Sequence, residues 1–211
     1  MLTTIEKIIF IVLATGCLGA SYFTFRKMFQ VIGIGQEQID WFKVAKNWRA
    51  GINAFISQKT LFKTRPIVGL IHALVAWGFS LYLLVNLIDV LYGLIPDFKF
   101  LPNHVIGDVY RIFVDIFSIL VLLGVFYFLI RRFIQKDIQL QTEKPVMISD
   151  SALRGMKFDS LLVGTFIIVH VGSRFLSASF EIAGSHSDWS QPTANLVAKM
   201  WSGLEPGTIL V

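Results

Sequence analysis

The sequence predicts an all-α membrane protein, a transmembrane helical bundle with four spans visible of an expected five. Three observations carry that reading. First, 55% of the 211 residues are hydrophobic, 16% are charged, and the mean hydropathy is +0.66, whereas a soluble domain carries roughly a quarter charged residues. Second, the charges fall in clusters separated by apolar runs of about twenty residues or more, the length that crosses a bilayer. Third, the strand-length alternation of a membrane β-barrel is absent. Backbone polar groups in lipid must pair internally, so such runs become helices.

The first span covers about 4–29. Glu6 and Lys7 make its leading flank neutral, and Arg26 and Lys27 follow the apolar stretch. That is the reverse of a secretory leader, and the run is too long for a leader's apolar core. It reads as a membrane helix with its N-terminus outside. The second span, about 67–95, opens after Arg65-Pro66, and proline is tolerated in a first helical turn. The third, about 109–133, closes on Arg131-Arg132. The fourth, about 159–183, gives way to the loop signal Gly184-Ser185-His186-Ser187.

Lys and Arg alternate between loops. The segment 26–65 holds Arg26, Lys27, Lys43, Lys46, Arg49, Lys59, Lys63 and Arg65; the segment 131–157 holds Arg131, Arg132, Lys136, Lys144, Arg154 and Lys157. The loop 96–108 holds only Lys99, and the C-terminal tail only Lys199. The positive-inside rule then predicts a multi-pass protein of the inner (plasma) membrane, with N-terminus outside, both basic loops cytoplasmic and residue 211 outside. The same distribution argues against nucleic acid as a partner, because the charge of +5 follows topology rather than a binding stripe.

Two stretches have interfacial character. Over 38–56, Trp41, Ala45, Trp48, Ile52 and Phe55 recur at intervals of four and three, with Lys43, Lys46, Arg49 and Asn53 between them. This is an amphipathic helix suited to the inner leaflet or, equally, to another protein domain. Over 191–204, Pro192 opens a helical pattern with Leu196, Val197, Met200, Trp201 and Leu204 on one side. The chain closes on Gly-Thr-Ile-Leu-Val, which reads as the start of a further apolar run, so a further domain beyond 211 is expected.

Chemistry narrows to a few side chains. The lone cysteine, Cys17, lies in the first span, so no iron–sulfur cluster and no attached c-type haem can be held by these residues alone. Ionisable groups in the apolar layer are costly and need a partner or a task. His72 stands about two turns into the second span and His170 nearer the middle of the fourth. Either imidazole could ligate haem iron or make an interhelical hydrogen bond. Counted from the inner ends of their spans, the two differ in depth by roughly 9 Å, so they are not an evident pair at one iron. Arg174, one turn beyond His170, needs an anion, and either a haem propionate or Glu181 would serve. Arg111 and Asp115, also one turn apart, read as a structural pair. Asn86, Asp89 and Glu181 near span ends, and His104 in the short outer loop, are weak candidates for a quinone headgroup. His186 reads as solvated.

Two segments carry a family resemblance. Arg65-Pro-Ile-Val-Gly-Leu-Ile-His-Ala-Leu-Val-Ala-Trp-Gly-Phe79 resembles the second helix of a nitrate-reductase gamma-like membrane domain, in the version that fronts iron–sulfur oxidoreductases related to heterodisulfide reductase. Val109-Tyr-Arg-Ile-Phe-Val-Asp-Ile-Phe-Ser-Ile-Leu-Val-Leu-Leu-Gly-Val125 with Arg131-Arg132 resembles its third helix. The likeness extends over about 59–201. It implies a five-helix b-type cytochrome domain passing electrons between membrane quinone and cytoplasmic iron–sulfur centres, with haem b as cofactor and His72 at a haem-ligand position. The clusters would belong to a partner or to a further C-terminal domain. The chain departs from the family pattern in three ways. The fifth helix and the cluster cysteines are absent from these residues, Tyr82 stands where a further histidine would follow His72 by ten residues, and His170-Val-Gly-Ser-Arg174 replaces an uncharged stretch. A non-redox membrane anchor or scaffold is the main alternative; a small transporter is a weaker one, because no broken helices support it.

Overall fold

The computed structural model describes residues 3–35, 40–96, 98, 105–137, 150–185 and 187–201, with the side chains of 150, 151 and 153 left aside. His104 and His186 therefore lie outside the described residues. The elements in chain order are α1 (Thr4–Gly33), α2 (Trp41–Ser57), α3 (Lys59–Thr64), α4 (Pro66–Leu94), α5 (Val105–Leu129) running into a π-helical turn (Ile130–Ile134), α6 (Asp150–Gly184) and α7 (Pro192–Ala198). No strand occurs among the described residues. Among the described residues, four helices are long and apolar enough to cross a membrane: α1, α4, α5 with its π turn, and α6 from Arg154. These are the four spans that hydropathy predicts, and the chain is an all-α, multi-pass membrane protein. Their ends differ from the predicted ones, most of all in α6, which starts at Asp150 rather than about 159. Hydropathy marks only the apolar part of a helix, and nothing between 150 and 159 forces the backbone out of helical geometry.

The chain divides into two compact units, Met1–Thr60 with Asn86–Phe100, and Leu61–Val85 with Leu101–Val211. In the first unit, α1 opens on a capping box. Thr3 Oγ1 accepts from the Glu6 N–H at 3.4 Å, while Glu6 Oε2 accepts from the Thr3 N–H at 2.7 Å, so two otherwise orphaned donors are satisfied reciprocally. From Ile8 to Phe25 α1 is predominantly apolar on every side, Arg26 and Lys27 follow, and the helix buries none of its residues. The ammonium of Lys7 donates to the Leu94 carbonyl at 3.4 Å. In α2, Asp40 caps the start by accepting from the Lys43 N–H at 3.0 Å, and Gln58 ends the helix in the left-handed region at φ 47°.

In the second unit, α4, α5 and α6 pack around one apolar cluster and α6 and α7 around another. One joins Tyr82, Val121, Val125 and Val171; the other joins Phe175, Ile182, Ala194 and Ala198. Gly78 and Gly124 allow α4 and α5 to approach closely. A Cβ at Gly78 would overlap Val121 Cγ2, and one at Gly124 would overlap Val75 Cγ2. Close approach through small residues is how helices associate where lipid offers no hydrophobic drive.

α7 is fixed from below by a buried carboxylate. Asp115 on α5, 4% exposed, accepts from the N–H groups of Thr193 at 2.7 Å and Ala194 at 3.0 Å. It thus satisfies the first donors of α7 from another helix. Pairing of Asp115 with Arg111 is the sequence expectation that fails here. Arg111 instead reaches Asp108, Asp188 at 3.5 Å and the Ser190 hydroxyl at 2.8 Å. Asp108, one turn earlier on α5, and Asp188 in the loop before α7 supply Arg111 with anions, while Asp115 is taken by the start of α7. The indole of Trp201 donates to Ser179 Oγ at 3.2 Å and lies against Phe180, which closes the far side of α7.

Candidate functional site

The most developed site lies within the second unit, where α4 and α6 begin and α5 ends. Pro66 occupies the first turn of α4, a position where the missing N–H forgoes no helical bond. The turn is held by Arg65 N–H donating to the Leu61 carbonyl at 2.9 Å and Gly69 N–H donating to the Arg65 carbonyl at 2.7 Å. Arg65, Val68 and His72 thus fall on successive turns of one helical face. Opposite them, α5 loosens into the π turn that carries Arg131 and Arg132. Such wide turns are rare and occur frequently at functional sites. Asp159, Ser160, Val163, Gly164 and Ile167 of α6 complete the wall.

Together these residues, with Leu61, Val125, Phe128 and Leu129, line a cavity of about 590 Å³. That volume is within the range of ligand pockets. Most of the wall is aliphatic. Its polar groups are one imidazole, three guanidinium groups, one carboxylate and one hydroxyl.

His72 is exposed where it lines the cavity. Its ring meets Phe128 edge-on at 6.3 Å and makes no hydrogen bond with a described residue. The interhelical hydrogen bond that sequence alone left open is therefore not formed among the described residues. Arg131, 7% exposed, is anchored by Asp137 through contacts of 2.5 and 2.6 Å to one carboxylate oxygen. Arg132 donates to the Met156 carbonyl at 3.2 Å. A planar amphiphile with acidic groups fits this chemistry: apolar walls for its body, guanidinium groups for its acids, and one nitrogen ligand. No three His, Cys, Asp or Glu side chains converge on a metal site among the described residues. A single imidazole suits a metal already held in a macrocycle better than a bare ion.

His170 is not part of this cavity. It is half-buried, stacked on Phe166 at 5.8 Å with the rings 4° from parallel, and edge-on to Tyr82 at 6.4 Å. Tyr82 is itself buried, and its hydroxyl is 2.6 Å from Ser118 Oγ, which donates to the Val114 carbonyl. His170 is six residues beyond the cavity residue Gly164 on α6, and Tyr82 is ten beyond His72 on α4. The two histidines are thus separated along the bundle by roughly 9–15 Å. Arg174 is half-buried one turn further on. Glu181 is exposed and forms no ion pair with a described residue, so an Arg174–Glu181 pair is not formed. Asn86 is half-buried and Asp89 exposed near the end of α4; both belong to the first unit, whereas Glu181 belongs to the second. The fourth quinone candidate, His104, is outside the described residues.

Sequence reasoning did not assign the cavity's guanidinium groups to a site. Arg65, Arg131 and Arg132 were legible as topology signals, and Asp159 as a helix start. The available clue was that all four share one membrane end with His72. Comparison with protein-family models, with curated proteins and with solved structures gives no match.

Proposed function

We propose that this chain is a haem-b membrane domain that passes electrons between membrane quinone and an iron–sulfur protein or domain at the basic-loop side, which we take to be the cytoplasmic side of the plasma membrane. The observation that carries the reading is His72, an imidazole without a hydrogen bond to any described residue, lining a mostly apolar cavity with three arginines. A haem bound there would supply one-electron chemistry between a quinol and an iron–sulfur acceptor.

The residues divide the work. His72 would offer a ring nitrogen to the haem iron. Arg65 and Arg132 would offer positive charge to acidic substituents, while Arg131 is already paired with Asp137. Val68, Val125, Val163 and Ile167 keep water away and lower the local dielectric, which raises the influence of those charges. His170, fixed between Phe166 and Tyr82, is a second candidate ligand at a separate level, with Arg174 one turn on. That level is where the family pattern has a histidine and this chain has Tyr82. Asn86, Asp89, Glu181 and His104 remain the candidate polar groups for a quinone headgroup. Membrane lipid surrounds the four spans.

The test is a visible spectrum of the purified protein, oxidised and then reduced, beside His72→Ala. The reduced wild type should show a b-type α band. His72→Ala should still insert and should lose at least about half of that band, since at most two ligand levels are proposed. A wild type that carries no haem when expressed with ample haem would favour the anchor or scaffold reading instead.

A further inference from the structure

We infer that α2 is a surface anchor seated on an anionic lipid leaflet, with its Trp41–Trp48–Phe55 side among the acyl chains and Lys43, Lys46 and Arg49 against acidic headgroups. The inference is independent of the haem reading. At about 100° per residue, Trp41, Val44, Trp48, Ile52, Phe55 and Ile56 fall within an arc of roughly 120°. All six side chains are exposed, each with relative accessibility of 48% or more, and α2 buries none of its residues. This apolar face is therefore not used for packing within its own unit.

The occupant follows from place and charge. In the chain α2 lies between two membrane spans, α1 ending at Gly33 and α4 starting at Pro66. The seven residues between Gly33 and Trp41 reach at most about 25 Å, so α2 is held near the membrane surface. Between residues 33 and 66 the chain carries no span, so both ends of α2 are tied to the same face of the bilayer. The helix has three cations and no acidic residue, and the whole segment 26–65 sets eight Lys and Arg against Glu37 and Asp40. That imbalance fits acidic headgroups.

The local geometry agrees. The Arg49 guanidinium lies over the Trp48 ring, 5.6 Å from its centroid. Arg49 sits at the edge of the apolar arc, so its stem can cover the indole while its charge reaches outward. Indoles at the level of the headgroups with cations just above them are the signature of an interfacial helix. A docked protein domain would need no such cationic border and no tether to the bilayer at both ends.

The experiment uses the full chain in a Cys17→Ala background, with a nitroxide label on Ile52→Cys or on Lys46→Cys. Vesicles are phosphatidylcholine alone or mixed with phosphatidylglycerol. In the mixed vesicles the label at 52 should collide with oxygen and be shielded from a water-soluble nickel chelate, and the label at 46 should show the reverse. The ratio of seated to unseated label at 52 should fall by about fivefold for each cation removed in a Lys43→Gln, Lys46→Gln, Arg49→Gln series. Wild type in phosphatidylcholine alone should resemble the triple variant. A label at 52 that is open to nickel in anionic vesicles would overturn the inference. So would a label shielded from both reagents, which would mean a protein cover, or one indifferent to lipid charge.

Discussion

Asp115 and Asp188 show what a single carboxylate does at the α7 end of the second unit. Asp115 is buried among helices and tolerated because two backbone N–H groups of α7 point at it. Each hydrogen bond to a charged group contributes roughly 1.5–3 kcal/mol. Asp188 lies in the loop before α7. Burial is the largest single influence on it and opposes ionisation. The Ser190 hydroxyl, the Gln191 amide, the Ser190 N–H and the charge of Arg111 together outweigh burial, and its carboxyl is held below the usual carboxylate range. A group that ionises more readily in the folded state adds stability that is complete above the unfolded value, about pH 4, and is lost as pH falls through the lower folded value. Asp188→Asn should therefore lower stability by about 1–2 kcal/mol at neutral pH. Its deficit relative to wild type should close as pH falls below about 4. Thermal unfolding in detergent at several pH values, followed by tryptophan fluorescence, measures this. An unchanging deficit down to about pH 2 would refute the ionic role.

At the scale of elements, the contacts of α5 make a sharper prediction than its hydropathy. An alanine at Gly124 would drive its Cβ into Val75 Cγ2, a β-branched side chain with little freedom at χ1. An alanine at Gly164 would press on Leu129 Cδ2 at 2.7 Å, the far end of a side chain that can turn aside. Glycine to alanine within a helix otherwise gains about 0.5–1 kcal/mol. Gly124→Ala should thus be destabilising by about 1–3 kcal/mol, as overpacked cores are. Gly164→Ala should be close to neutral, within about 0.5 kcal/mol either way. Unfolding in detergent distinguishes them, and equal losses for both would mean that α5 does not pack as described. The sequence shows both glycines inside apolar runs but not which neighbour each meets.

For the whole molecule, the distribution of Lys and Arg makes a directional prediction. In intact right-side-out vesicles, a membrane-impermeant maleimide should modify Ser187→Cys and spare Lys46→Cys, each in the Cys17→Ala background. The opposite pattern would reverse the orientation drawn from the basic loops. The same orientation puts the His72 cavity at the inner face, beside the proposed electron acceptor, and α7 at the outer one.

Four apolar runs, their polar punctuation and the amphipathic rhythm of α2 could be read from the chain itself, because transfer from water to lipid depends on the composition of a segment and not on its neighbours. His72 and His170 could be singled out for the same reason, as polar groups where polarity is costly. Their difference in depth was legible too, from their positions along the spans, but the gathering of Arg65, Arg131 and Arg132 around His72 alone and the capture of α7 by Asp115 became visible only once the helices were packed. Helix rotation and the π turn at Ile130–Ile134 select which side chains meet, and those depend on close steric fit between surfaces far apart in sequence.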